Sequence, residues 1–321
     1  MSHLLIIDGH AIAHRAYHSI PPLSTSGQPI NAIYGFYSML LSALEQLNPD
    51  YLLVCLDAPG PTFRDQEYIG YRAQRKPTES DLVSQLILLP DTLSTASIPN
   101  YALTGYEADD LIATISTRSQ KRRSKKTKKN FIKRITIITG DKDLMQLVDD
   151  KVSLFVPIRG LSETKLYDPK AVKEKLLVRP DQVIDLKALM GDPSDNYPGV
   201  PGVGPKTASD LLEKYDSLDH IYQSLEELKP NLAQKLADNK DSAYLSQMLA
   251  TIVHDAPLEF NLQKARWTKK RTRNLLNLFK NYNFRSLISR TQKIYPYLAP
   301  KPLLKKKAQK AVVDPNQSSL F

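Results

Sequence analysis

The feature that most restricts how this chain can fold is a set of short apolar runs that each stop at an acid. Residues 4–7 run into Asp8, residues 51–56 into Asp57, and residues 134–139 into Gly140 and Asp141. Helical spacing fills the intervals at residues 32–47 and 111–117, and residues 152–156 read as a further strand. Strands separated by helix-length segments predict an α/β fold, a mostly parallel sheet with crossover helices. Ligands of such open sheets bind beyond the carboxyl ends of the strands. Three strand ends therefore bring Asp8, Asp57 and Asp141 to one edge.

After about Asp181 the strand pattern stops. Residues 183–190, 207–215, 218–228 and 240–252 have helical spacing, as do residues 106–115, which begin inside a group of acids. The 321 residues suit about two domains. The first, 1–175, carries most of the acids, an arch segment at 63–80 and a basic loop at 119–134. The second, 176–297, is helical, and residues 298–321, rich in Lys and Pro, read as a linker and tail. The one cysteine, Cys55, lies inside an apolar run, which excludes an internal disulfide and a Cys-based zinc cluster. No uncharged apolar run nears the roughly 18 residues of a membrane span. The opening residues lack the basic flank and length of a signal peptide, so a cytoplasmic protein with no membrane partner is expected.

The 44 Lys and Arg against 34 Asp and Glu give a net charge of +10, which suggests an anionic partner, nucleic acid before membrane. Nine basic residues and no acid lie between Lys121 and Arg134, residues 298–321 carry +4, and the remainder carries −3. Nine acids help to explain that remainder: Asp8, Asp57, Glu107, Asp109, Asp110, Asp141, Asp143, Asp192 and Asp195. Alone, each is an ordinary helix cap or turn residue. Crowded as 107/109/110, 141/143 and 192/195, they repel one another unless cations neutralise them. Oxygen ligands without Cys or a His pair suit a hard cation, Mg²⁺ or Mn²⁺. Too many ligands for one ion suggest two, about 3.5 to 4 Å apart, the apparatus of phosphodiester hydrolysis.

These residues resemble the 5′-nuclease or flap endonuclease superfamily, and within it the 5′-3′ exonuclease domain of bacterial DNA polymerase I. The likeness rests on Ile7-Asp8-Gly9-His10 with Arg15, Asn31-Ala-Ile-Tyr34-Gly35-Phe36, Phe63-Arg64, Tyr71-Arg72-Ala-Gln-Arg75, Gly105-Tyr-Glu107-Ala-Asp109-Asp110, Thr139-Gly-Asp141-Lys-Asp143 and Gly191-Asp192-Pro-Ser-Asp195-Asn196. The resemblance implies a PIN-like sheet, a C-terminal helix-hairpin-helix-like (H2TH) motif, and all nine acids around the metal site. It implies a 5′-3′ exonuclease and flap endonuclease acting on 5′ flaps, free 5′ ends or nicks, RNA-DNA primers included, in primer removal, Okazaki-fragment processing or repair. Arg72 and Arg75 become the pair that polarises the scissile phosphate, with Arg15 contributing from the base. Arg72 stands where the family usually has Lys, which keeps the charge but changes its placement. The spacing of Arg64, Tyr68, Tyr71, Arg72 and Arg75 would let one helical face carry them toward DNA.

The loop from Pro198 to Thr207 has the glycine spacing of a nucleotide loop, but Pro205 precedes Lys206 and no strand leads into it. It reads instead as a hairpin in which Gly199, Gly202 and Gly204 let backbone N–H groups approach duplex phosphates, with Lys206 and Thr207 opening the next helix. Members of the family often place K⁺ there. Tyr34 suits either stacking on a terminal base or core packing, Phe36 and Trp267 read as core, and His10, His14 and His18 as polar or substrate-edge residues on one helical face. The basic loop is either solvated or in contact with DNA. Gln317-Ser-Ser-Leu320-Phe321 resembles the peptide by which bacterial replication and repair proteins bind the sliding clamp. Relatives continue into a polymerase, so polymerase and ligase steps are expected from separate proteins. A non-catalytic junction binder is disfavoured by the intact acid set, and a toxin-type ribonuclease by the hairpin and the length.

Overall fold

The computed structural model describes residues 2–25, 27–121, 132–159 and 163–299. The chain begins with β1 (Ser2–Asp8), α1 (Gly9–Ser19), a small hairpin of β2 (Ser24–Thr25) and β3 (Gln28–Pro29), α2 (Asn31–Leu47) and β4 (Tyr51–Cys55). It continues through α3 (Phe63–Glu67), α4 (Ser80–Thr95), β5 (Asn100–Tyr101), α5 (Ala108–Lys121), β6 (Ile132–Ile138), β7 (Val152–Arg159) and β8 (Glu163–Tyr167). The helices α6 (Pro169–Leu176), α7 (Val183–Met190), α8 (Pro205–Tyr215), α9 (Leu218–Gln223), α10 (Pro230–Asp238), α11 (Lys240–Ala250), α12 (Lys269–Asn281) and α13 (Arg285–Ile294) follow.

The six-stranded sheet has the order β5-β4-β1-β6-β7-β8, parallel except for β8. Its central strands read as unbroken apolar runs because both faces are covered. Leu4 and Ile6 pack on one side with α5, α7 and α8, while Leu5 and Ile7 pack on the other with α1, α2, α4, α12 and α13. From β1 the chain builds outward through β4 to β5, then returns past β1 to place β6. The strand order therefore reverses beside Asp8, where an open sheet forms its crevice. Gly9 is required there: a Cβ on it would lie 2.4 Å from the Leu56 side chain and 3.1 Å from the Cys55 carbonyl. A side chain would push α1 away from the end of β4.

The mostly parallel sheet and the helical C-terminal region agree with the sequence reading. The arch segment does not. Helix α3 stops at Glu67, residues 69–74 form turns, and Arg72 has a φ of +54°, so Arg64, Tyr68, Tyr71, Arg72 and Arg75 do not share one helical face. Gly70 weakens helix at this point. The turn is also bound from outside: Asn196 Nδ2 donates to the Gly70 carbonyl at 2.6 Å and Arg72 N–H donates to the Asp195 carbonyl at 2.9 Å. The predicted helix at 218–228 likewise breaks after Gln223 into a 3₁₀ turn at Leu225–Glu227. Residues 122–131 of the basic loop and the tail with Gln317, Leu320 and Phe321 lie outside the described residues.

Candidate active site

The acids reach one edge by two routes. Asp8 ends β1, Asp57 follows β4, Asp141 follows β6, and Glu107 with Asp109 opens α5. Short hydrogen bonds lock these ends together. Asp8 accepts from Ala11 N–H at 3.1 Å and from the Thr139 hydroxyl at 2.8 Å, and that hydroxyl accepts from Asp141 N–H at 2.9 Å. Asp57 accepts from Ala108 N–H at 2.9 Å, which fastens β4 to the start of α5. His10 Nδ1 lies 3.0 Å from Asp57 Oδ2 and 2.8 Å from Asp57 N.

Crowding these groups on a partly buried edge has an electrostatic cost. Burial first, then the Asp57 charge, pushes the Asp8 carboxyl up to about 7. Asp109 is held well above the usual carboxylate range by burial and then by Asp141 and Asp8. Burial raises Glu107 as well, against the pull of Arg72 and Arg64. Asp57 is exposed, and the partial desolvation that would raise it is outweighed by its contact with His10, which lowers it.

Asp143, Asp192 and Asp195 form the second group, and here the chain supplies cations. The Lys187 ammonium sits between Asp143 and Asp192, 2.6 Å from the latter. Asp195 takes Arg75 at 2.5 Å and Arg72 at 3.4 Å. Arg72 also reaches Glu107, with ion-pair contacts of 2.8 Å to Oε1 and a hydrogen bond of 2.9 Å to Oε2. Burial, then Asp141, raises Asp143 to about 7 despite Lys187, whereas Asp192 is lowered because Lys187 and Ser194 outweigh its burial. Asp143, Lys187 and Asp192 line a cleft of about 640 Å³ with Arg15 and Asp141. Arg15 donates to the Ile158 carbonyl at 2.7 Å from the far wall.

Among the described residues, no three of these side chains already stand as a finished cation cage. The donor chemistry nevertheless fits hard divalent cations. All donors are carboxylate oxygens, and Asp8 and Asp109 are raised by burial and then by neighbouring acids.

Four sequence expectations change at this level. Asp110 is fully buried and both its oxygens are used, by the Arg64 guanidinium at 2.9 Å each and by the N–H groups of Glu107 and Val253. It anchors the start of α5 rather than facing a metal. Arg64, 2% exposed, also donates to the Leu249 and Thr251 carbonyls, so it is a buried brace and not a DNA contact. Tyr71 is buried, with its hydroxyl 3.3 Å from Asp195, and acts behind the arginines. Gly199, at φ +59°, is buried with its N–H donated to Ser246 Oγ, and a Cβ on it would meet Gly191 N at 2.1 Å. Its role is close backbone packing that folds the hairpin. Gly202, Gly204 and Lys206 are exposed on that hairpin, Thr207 is half-buried, and α8 begins at Pro205. Tyr34 packs edge-on against Phe284 at 5.2 Å and shares a hydrogen bond of 2.7 Å with Ser286, while Phe36 is core and Trp267 is half-buried against Tyr295.

With sheet, edge and hairpin in place, a family model described as 5′-3′ exonuclease, N-terminal resolvase-like domain matches residues 3–177, and one described as 5′-3′ exonuclease, C-terminal SAM fold matches residues 178–273. The chain belongs to the 5′-3′ exonuclease family. It is 42% identical over 293 residues to DNA polymerase I of Caldicellulosiruptor bescii and 37% identical over 289 residues to DNA polymerase I of Bacillus subtilis. Each match covers 89% of this chain and 33% or 32% of the relative, so the chain spans about a third of the length of those relatives. Among solved structures, T5 5′-exonuclease with bound divalent metal ions (zinc) superposes with a TM-score of 0.62 at 23% identity, covering 91% of this chain and 98% of that one. The catalytic core of Rad2 in complex with DNA substrate gives 0.57 at 16%, covering 93% of each. At those identities the likeness is one of fold.

Sequence reasoning about this exonuclease-family chain missed Lys187 and the contact of His10 with Asp57. Lys187 had a weak signal, a lone basic residue in the last turn of a predicted helix five residues before Asp192. Five residues apart on a helix do not face each other, and only the turn at Gly191, φ +70°, brings the two together.

Proposed function

We propose that this protein is a divalent-metal-dependent 5′ nuclease that hydrolyses DNA phosphodiester bonds at free 5′ ends, nicks or displaced flaps, RNA-DNA primers included. The observation that carries this reading is the convergence of carboxylates from three adjacent strand ends and the start of α5 on one crevice that Arg72, Arg75 and Lys187 also enter. Asp8, Asp57, Glu107, Asp109 and Asp141 would hold one ion, and Asp141, Asp143, Asp192 and Asp195 a second. Mg²⁺ or Mn²⁺ bound there supplies Lewis-acid activation of water and charge stabilisation at the leaving oxygen.

The chain's own residues do the rest. Arg72 and Arg75 present forked donors to the phosphate and exchange their bonds with Asp195 and Glu107 for it. Lys187 and Arg15 add positive charge to the walls of the cleft. His10 positions Asp57. Gly202, Gly204, Lys206 and Thr207 offer backbone N–H groups and charge to a duplex phosphate backbone, a contact that a K⁺ ion would reinforce. Gln317, Leu320 and Phe321 would dock on a bacterial sliding clamp, with polymerase and ligase acting on the product. Such a protein works in the cytoplasm on the nucleoid, in primer removal, Okazaki-fragment processing or repair.

The test is a labelled 5′-flap duplex incubated with Mg²⁺, alongside Asp141→Ala, an EDTA control and single-stranded RNA. Metal-dependent cleavage near the junction, lost in the variant, is expected. Cleavage in EDTA, or tight binding without cutting, would defeat it.

A further inference from the structure

Tyr197 follows Asp195 by two residues, is 3% exposed, and has no part in the chemistry proposed above. Among the described residues, the buried side-chain oxygens without a hydrogen-bond partner belong to Glu107, Ser116, Ser119 and Tyr197. Three of these have a ready explanation. Glu107 Oε1 is in ion-pair contact with Arg72, and Ser116 and Ser119 lie on α5, where a small hydroxyl can turn toward a carbonyl of the preceding turn. A phenol oxygen has no such freedom, because the ring that carries it is packed. A buried hydroxyl left unpaired costs folding free energy that a phenylalanine of the same shape would not.

The surroundings of that hydroxyl indicate what it waits for. Asp192 N–H donates to the Tyr197 carbonyl at 3.0 Å and Tyr197 N–H returns a bond of 3.2 Å to the Asp192 carbonyl, so the loop between them closes on itself beside the end of α7. The Tyr197 ring belongs to a small apolar cluster with Tyr71, Leu249 and Ala250, against which Ile184 of α7 packs. Lys187 lies three residues after Ile184 and therefore on the same side of α7. Charge on Tyr197 would act on Lys187 more strongly than charge on Asp192 does, although an Asp192 oxygen is only 2.6 Å from the ammonium, so the phenol oxygen lies close to Lys187. The Lys187 side chain is 16% exposed and at present holds Asp143 and Asp192. A divalent cation taking those two carboxylates would strip the ammonium of both partners and leave it beside a like charge. An uncommitted acceptor within the same wall lowers the cost of that exchange.

We propose that Tyr197 is a positioning residue whose hydroxyl accepts the Lys187 ammonium when Asp143 and Asp192 exchange it for a divalent cation, which keeps Lys187 in the cleft as a charge for the incoming phosphate. The assignment rests on the metal-dependent nuclease reading above and adds to it a place for the displaced cation.

The experiment titrates Mn²⁺ into the full-length protein by calorimetry, with the binding event at the loop acids identified as the one lost in Asp192→Asn. Tyr197→Phe keeps the packed ring and removes only the oxygen. It should weaken that event by about tenfold, while the metal-free melting temperature stays at or above that of the wild type. In a Lys187→Gln background the same substitution should change the affinity by less than about twofold, because no ammonium remains to be received. Unchanged Mn²⁺ affinity in Tyr197→Phe, or equal weakening with and without Lys187, overturns the proposal. A lower metal-free melting temperature overturns it as well, since the hydroxyl would then already have a partner. Failure of the wild type to bind Mn²⁺ overturns instead the nuclease reading on which it rests.

Discussion

The strand-end acids and the loop acids lie on the same edge in unlike electrostatic surroundings. Asp8 and Asp109 are surrounded mainly by other carboxylates and are pushed upward by burial and by one another. Asp192 and Asp195 instead sit against Lys187, Arg72 and Arg75. The difference teaches that a crowded acid can be neutralised from outside or from within. On the proposed nuclease reading, Asp8 and Asp109 would take their cations from solution, while Asp143, Asp192 and Asp195 already hold Lys187, Arg72 and Arg75, which an incoming ion or phosphate would displace. Asp143 stands between the two, raised by burial and then by Asp141 yet bound to Lys187.

Substitutions can break this contrast, beginning with the largest expected effect. Asp141 would serve both proposed ion sites, so Asp141→Ala should reduce flap cleavage by at least about 10³-fold, read as single-turnover rate at saturating Mg²⁺. Arg64 neutralises Asp110 from within and is itself buried. Removing it in Arg64→Ala leaves an uncompensated charge and should destabilise the fold by about 3 to 5 kcal/mol in urea unfolding. An unchanged midpoint would mean that the pair contributes nothing.

The opposite end of the same strands supplies a control, a buried titratable group with partners and no acid crowd. His3 accepts from Arg134 at Nδ1, lies 2.9 Å from Thr136 Oγ1 at Nε2, and is lowered to about 4 by burial first and Arg134 second. The unfolded chain therefore binds the proton more readily between pH 6.5 and 4. Stability should fall as pH drops through that window, by roughly 2 to 3 kcal/mol, and the loss should shrink in His3→Gln. A melting-temperature series with both proteins reads it out. The smallest effect sharpens the contrast most. Lys187→Gln removes the built-in cation of the loop acids and should tighten Mn²⁺ binding there by about tenfold in titration calorimetry, whereas Lys187→Arg should not. Equal affinities in all three proteins would remove the distinction between the two groups.

Much of this was legible in the sequence because it is written locally. Apolar runs of strand length and the acids that close them survive without tertiary information, since a strand covered on both faces must be apolar throughout. The helix at Val183–Met190 coincides with its sequence expectation. Other elements were not legible because partners distant in sequence decide them. The arch segment has helical spacing, yet Asn196 and Asp195 capture its backbone. Arg64 reads as a surface cation until Asp110 and two carbonyls near residue 250 enclose it. Gly199 looks like a phosphate-cradling glycine until the backbone of Gly191 fills the space beside it.

By itself, the sequence determined the sheet, the edge to which its strands deliver carboxylates, and the hairpin, because each depends on residue type and short-range spacing. Only the tertiary structure decided which acids are answered by Lys187, Arg64, Arg72 and Arg75 and which stay crowded. Charge pairing acts through space at a few ångströms, and nothing in the order of residues along the chain fixes which cation will arrive within that distance of which acid.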